Sequence, residues 1–331
     1  MRLTWTVTSL VLREPLRISR SVMTRRDAVQ ITVAHEGLRG HGEAVTSVHH
    51  RLDVGRITTL LRRLRPALEE LPGPEEALAA VPDLLPAVPG VLTAVDAALH
   101  DLVGKRRGLP VHALFGRRWS DTATAFTLGI GQDPAPVLDR GLQLIKIKLG
   151  GGDDVARVRV IRRAAPGARL ILDPNGAWTA EQAVRILDEV APLGIEAVEQ
   201  PVAPGTLDDL AWVTARSAIP VVADEDARTL QDVENLPGAA HGVNVKLAEC
   251  GGLTAARRII ECARRHGLHV MLGCQVASSL GIAPAVHLAP AARWADLDGH
   301  LLLAEDPWTG IGGHDGVLRL SGEPGLGVRA A

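Results

Sequence analysis

Leu144-Ile145-Lys146-Ile147-Lys148, Leu170-Ile171-Leu172-Asp173, Ala197-Val198-Glu199, Val221-Val222-Ala223-Asp224 and Val243-Asn244-Val245-Lys246 are short apolar runs that each end on a charge. Their closing residues lie 25, 26, 25 and 22 positions apart by subtraction. After one further run, Val270-Met271-Leu272, Asp296 and Asp298 follow, with Asp296 50 positions beyond Lys246. A step of that size holds one strand, one helix and two loops, so the period indicates a parallel β/α array. Charges at the C-terminal ends of successive barrel strands converge on one mouth, where barrel enzymes keep their chemistry.

Working outward, strands are expected at 123–129, 143–149, 169–173, 196–199, 220–224, 242–247, 269–273 and 293–298. Helices are expected between them at 153–165, 180–191, 208–217, 230–235, 254–266 and 279–288, with Thr179 as an N-cap. Eight such units make a closed (β/α)8 barrel. The first third differs. Residues 3–12 and 28–35 alternate like paired strands, with turn chemistry over 37–42. Helices are expected at 51–70, 75–85 and 91–102. The fold class is therefore α/β, a modified TIM-type barrel with an α+β capping domain. The expected division is 1–118 for the capping domain, 119–304 for the barrel and 305–331 for a Gly-rich tail returning to the capping domain, with one strand near 317–320.

The chain has 331 residues, 46% of them hydrophobic, and a net charge of -2. That suffices for a large core and leaves no concentrated positive charge for nucleic acid or an anionic membrane. The apolar N-terminus alternates Thr4, Thr6 and Thr8 with Trp5 and Val7, a strand period without a cleavage site after it. No run reaches the roughly 18 apolar residues of a membrane helix. Three cysteines, Cys250, Cys262 and Cys274, match no close metal spacing and suit free thiols in a reducing cytoplasm.

Asp173, Glu199 and Asp224 end three consecutive strands and face one rim. Three carboxylates in one pocket repel, and a divalent cation relieves them; an all-oxygen donor set favours Mg²⁺, with Mn²⁺ as a substitute. The competing reading is three separate strand-end salt bridges. Lys146 and Lys148 share a strand face, and two close ammonium groups should disfavour the charged form of each, poising Lys148 as a base. Lys246 lies four strands away, across the ring. Two bases on opposite faces of one carbon can remove a proton from one side and return it on the other. Asp296 and Asp298, on one strand face and away from the cation cluster, make an anionic pocket for an ammonium group, unless they cap the loop before Gly299.

Lys146-Ile147-Lys148, Asp173-Pro174-Asn175-Gly176-Ala177-Trp178, Glu199-Gln200-Pro201, Ala223-Asp224-Glu225 and Asn244-Val245-Lys246-Leu247 together resemble the muconate-lactonizing subgroup of the enolase superfamily. The resemblance covers nearly the whole chain. It implies an Mg²⁺ enzyme with Asp173, Glu199 and Asp224 as ligands and Lys148 and Lys246 as the acid/base pair, working through a metal-stabilised enediolate. Asp296-Leu297-Asp298 resembles the signature of dipeptide epimerases, which bind a substrate α-ammonium. The implied reaction is epimerisation of the C-terminal residue of a dipeptide. The alternatives are an N-acylamino acid racemase or o-succinylbenzoate synthase on the same scaffold, or a catalytically silent Mg²⁺-binding barrel. The resemblance also places Thr127, Ser21, Cys274 and Val276 beside the substrate, and implies a homo-oligomer. At Ser21 some relatives carry an Arg that holds an acidic substrate side chain; Arg20, Arg25 and Arg26 are near enough to substitute. Gln275-Val276-Ala277 departs from the Glu that many relatives carry after the seventh strand. Gly150-Gly151-Gly152 reads as a tight turn, and among the histidines His49, His50 and His300 fall near the expected mouth.

Overall fold

Alternating side chains over the first 45 residues build a three-stranded antiparallel sheet of β1 (Arg2–Ile18), β2 (Ser21–His35) and β3 (Leu38–Val45). The computed structural model describes residues 1–85, 88–140, 142–205 and 207–331. The turn chemistry expected over 37–42 is confined to Glu36 and Gly37, both at positive φ, as a two-residue hairpin turn requires. Gly40 and Gly42 instead lie within β3, where a Cβ would meet Ala98 O or Ala94 O at 2.0 Å. Their missing side chains let helix α3 (Pro89–Arg107) lie directly on the strand. Helices α1 (Val54–Glu70) and α2 (Pro74–Leu84) complete this unit, whose core joins Leu3, Ile31, Ile57, Leu61, Val95 and Leu99.

Two short strands follow, β4 (Thr122–Ala123) and β5 (Phe126–Leu128). The remaining barrel strands are β6 (Leu144–Lys148), β7 (Arg169–Asp173), β8 (Ile195–Glu199), β9 (Val221–Ala223), β10 (Gly242–Lys246), β11 (His269–Gly273) and β12 (Trp294–Asp296). Strands β5 to β12 run parallel in sequence order. The ring is nearly closed. Between β12 and β5 the ladder gives way to a bond from Ala125 N to Ala295 O at 2.8 Å and one from Leu297 N to Thr124 Oγ1 at 2.9 Å. The single strand expected at 123–129 is split because its partner changes, β4 pairing with the tail and β5 with β6.

Alternation inside the barrel stacks its layers. Ala125, Leu144, Ile171, Ala197, Val222, Met271 and Trp294 form an apolar floor. Two residues further along each strand the inward positions become Thr127, Lys146, Asp173, Glu199, Asp224, Gly273 and Asp296. Outside, strands and helices share one large core that includes Ile145, Leu172, Val198, Leu187 and Ile260. Thr179 caps the helix Ala180–Val190 in a reciprocal capping box with Gln182. A four-residue helix, Ala135–Leu138, not expected from the sequence, follows β5.

After the barrel, β13 (Trp308–Thr309) pairs with β15 (Arg329–Ala330), and β14 (Val317–Leu318) pairs with β4. Leu326 N donates to Asp101 Oδ1 of α3 at 2.8 Å. No helix among the described residues is long and apolar enough to cross a membrane.

Asp96 of α3 clasps the barrel to the first unit. Its buried carboxylate accepts from Leu253 N at 2.7 Å and from Thr254 Oγ1 at 2.6 Å, so it caps the helix Leu253–Arg265 from another element. Asp96→Ala removes that cap and strands a buried N–H, which should cost about 2–4 kcal/mol in urea denaturation. An unchanged midpoint would remove Asp96 from this role.

His287 is buried against His112 and the tail. Its Nδ1 accepts from His112 N at 3.1 Å and its Nε2 faces Leu326 O at 3.2 Å. Burial, with His112 and His100 nearby, pushes its pKa down to about 3. The unfolded chain takes the proton first, so this contribution is full above about pH 6.5 and lost as pH falls toward 3. Stability curves of the wild type and His287→Gln should converge between pH 7 and 4; a constant gap would contradict it.

Candidate active site

The strand ends bring Lys146, Lys148, Asp173, Glu199, Asp224, Lys246 and Asp296 into one buried charge cluster. Lys146, 2% exposed, puts its Nζ 2.6 Å from Asp296 Oδ2, 2.6 Å from Glu199 Oε2 and 3.0 Å from Asp173 Oδ2. Lys148 Nζ lies 2.5 Å from Asp173 Oδ2. Across the ring, Lys246 Nζ lies 2.5 Å from Asp224 Oδ2 and 3.7 Å from Glu199 Oε1. Asp298 accepts from Thr127 N at 2.6 Å.

Two expectations are corrected by this geometry. Asp296 does not stand apart from the Asp173 and Glu199 carboxylates, because Lys146 bridges all three. Nor is the charged form of Lys146 disfavoured. Burial alone would lower its pKa, but Asp173, Asp296 and Glu199 outweigh burial and hold the ammonium well above its ordinary range. Three carboxylates within 3.0 Å of Lys146 Nζ decide its charge. Lys246 is likewise held high by Asp224, Glu199 and Glu249 against burial.

The acids divide. Asp173 is held low because Lys146 and Lys148 together outweigh its burial. Burial, then the Asp173 charge, pushes Glu199 up to about 7; burial also carries Asp224 to about 6 despite Lys246. Asp298 rises to about 7 through burial and the neighbouring Asp296.

Lysines stand between the acids, and no three Asp, Glu, His or Cys side chains are drawn around one point among the described residues. The donor chemistry nonetheless fits a hard divalent cation. Five carboxylates (Asp173, Glu199, Asp224, Asp296, Asp298) face three ammonium groups, which leaves two negative charges when all are ionised. Glu199 Oε2, though near Lys146, is buried without an aligned hydrogen bond. A buried carboxylate oxygen so placed suits a cation ligand.

Several supporting residues were not anticipated. Asn244 Nδ2 donates to Glu199 Oε1 at 2.9 Å, and Gly273 leaves it room, since a Cβ there would meet Asn244 Oδ1 at 2.4 Å. Asn244 shares the strand face of Lys246, so the alternation carried the signal. Asn175 N donates to Asp173 Oδ1 and Asp224 N to Gln200 Oε1, both at 2.9 Å. Asn175 and Gln200 hold φ values of 50° and 37°, local strain at the strand ends that positions these acids.

The remaining expected residues are dispersed. Cys274 and Lys246 line one cavity between the barrel mouth and the first unit. Val276 is buried in the core beside it. Ser21 is exposed at the start of β2, in a wide cleft it shares with Arg20, Arg25, Arg26 and His49. The hairpin reaches the barrel through Arg20, which ion-pairs with Glu225, and Arg26, whose Nη1 donates to Gln275 Oε1 at 3.2 Å. His50 faces Glu249 at 3.6 Å. His300 is turned from the mouth, its Nε2 on Gly312 O at 2.9 Å. Gly150 N and Gly151 N are taken by Asp154, so that glycine turn offers them to no phosphate.

Residues 2–116 match the family description "Mandelate racemase / muconate lactonizing enzyme, N-terminal domain", and residues 134–331 match "Enolase C-terminal domain-like". An L-Ala-D/L-Glu epimerase of Bacteroides thetaiotaomicron is 34% identical over 99% of this chain and 88% of its own. The solved L-Ala-D/L-Glu epimerase from Bacillus subtilis, a substrate-liganded complex, superposes with a TM-score of 0.94 at 29% identity, covering 100% of this chain and 99% of its own. A dipeptide epimerase from Enterococcus faecalis V583, complexed with Mg and L-Leu-L-Tyr, reaches 0.92 at 29% identity, over 99% of this chain and 98% of its own.

Proposed function

Given that the chain belongs to the mandelate racemase / muconate lactonizing enzyme family of the enolase superfamily and is an isomerase, we propose that it epimerises the C-terminal residue of free dipeptides. The observation that carries this reading is the placing of Lys148 and Lys246 on β6 and β10, four strands apart in a ring of eight, each beside an acid of the same cluster. One lysine takes the α-proton from one face and the other returns a proton to the opposite face. A substrate between them exposes both faces of its α-carbon.

Asp173, Glu199 and Asp224 would hold Mg²⁺, or Mn²⁺ in its place. When bound, the cation would offset the charge that builds on the substrate carboxylate as the α-proton leaves. Lys146 keeps Asp173, Glu199 and Asp296 in register. Asp298, held by Thr127 N, supplies the carboxylate for the substrate α-ammonium. The apolar floor beneath keeps water from the proton in transit. The reading implies a small-molecule substrate, and the three free thiols suit a reducing cytoplasm.

A second reading rests on one observation. Because Lys146 already neutralises Asp296, the ammonium pocket is down to one carboxylate, which favours N-acylated amino acids. Hydrogen exchange in D₂O with Mg²⁺ separates the two. On the first reading, deuterium enters the C-terminal α-position of free L,L-dipeptides, and Asp298→Asn lowers kcat/KM by at least about tenfold through the lost charge-assisted bond. Exchange confined to N-succinyl amino acids and indifferent to Asp298→Asn would establish the second, and exchange in neither would point to a silent barrel.

A further inference from the structure

The first βα unit of the barrel covers its strand with little helix of its own. The helix after β5 spans four residues, Ala135–Leu138, whereas those after β6 and β7 span 11 each. Over the gap runs a stretch of β1 that has left its partner, since register with β2 breaks between Val11 and Leu16, around Pro15. Arg13 N donates instead to Leu302 O at 2.9 Å. Between these segments lies a cleft of about 320 Å³, within the range of roughly 300–1,000 Å³ usual for small-molecule sites.

Its walls are apolar and its rim is cationic. Leu12, Phe126, Val137 and Leu301 line it and are each at most 6% exposed. At the rim stand Arg13 and Arg140, neither in an ion pair among the described residues. The Arg140 guanidinium lies 5.0 Å from the Phe126 ring centroid, and its Nη2 donates to His314 O at 2.7 Å, which orients it without neutralising it. Glu14, the one acid in the lining among the described residues, accepts from Gln132 Nε2 at 2.8 Å. Partial burial, and then the Arg13 charge, hold Arg140 below its ordinary range. Two neighbouring cations over an apolar floor are complementary to an anion with a hydrocarbon body.

We propose that this cleft, on the outer wall of the barrel, binds a small organic anion, its acidic head between Arg13 and Arg140 and its apolar part against Leu12, Phe126, Val137 and Leu301. The probes are octanoate, octan-1-ol as the neutral counterpart, and inorganic phosphate as an anion without a body. Each is titrated calorimetrically into the full chain. Octanoate should bind saturably at one per chain, at least tenfold more tightly than either control. The double variant Arg13→Gln/Arg140→Gln should lose at least tenfold in octanoate affinity and none in octan-1-ol affinity. Val137→Trp should block both, and dipeptide turnover should persist in each variant as proof of folding. The proposal is overturned by absent saturable binding, by octan-1-ol binding as well as octanoate, or by an undiminished double variant. It is equally overturned if Val137→Trp shifts the sedimentation of a chain that binds no octanoate, since the cleft is then a contact between copies.

Discussion

Replacing either Lys148 or Lys246 by Ala should lower epimerisation by about 10²–10⁴-fold, the range of a positioned proton-transfer group, while leaving exchange one-sided. Each lysine reaches one face of the α-carbon. The surviving lysine can still remove and return a proton on its own face, so one epimer should exchange its α-hydrogen with D₂O without inverting. The other epimer should be inert, and the two variants should show opposite preferences. NMR of both epimers in D₂O measures this directly. Loss of exchange from both epimers in both variants would mean that the lysines serve the charge cluster and not the proton. Stability supplies a control, because Lys148→Ala leaves Asp173 beside Lys146 and should lower the urea midpoint less than Lys146→Met does.

The second large effect is structural. Lys146→Met removes the ammonium that bridges Asp173, Glu199 and Asp296 and leaves buried carboxylates uncompensated. Breaking a buried pair by deleting one partner costs about 3–5 kcal/mol, and the urea midpoint should fall accordingly. If Asp173, Glu199 and Asp224 also hold a divalent cation, Mg²⁺ should restore more stability to this variant than it adds to the wild type, because ligand binding to the folded state alone stabilises it. A variant as stable as the wild type would show that the carboxylates are relieved by other means.

How far these side chains could be read in advance depended on the range of the interactions that place them. Lys148, Asp173, Glu199, Asp224 and Lys246 were legible because strand alternation and the β/α period are local, and both survive folding unchanged. The capping box at Thr179 was legible for the same reason. Asn244 stands in the same motif as Lys246, but its bond to Glu199 depends on a strand 45 residues away. Asp96 carried none, because the helix it caps lies about 157 residues away, and a cap from another element leaves no spacing to find. No third strand is expected over 38–45, because Gly40 and Gly42 resemble turn residues, while their purpose is the approach of α3.

By itself the sequence determined that the chain is a β/α barrel with a capping unit, and which side chains crown its strands, since a period of two within strands and about 25 between them needs no partner to be expressed. Tertiary structure alone decided which charge answers which. Lys146 meets Asp296 across 150 residues because the nearly closed ring brings β12 round beside β5. The Coulomb energy of that meeting depends on ångström-scale distances that only closure of the ring sets.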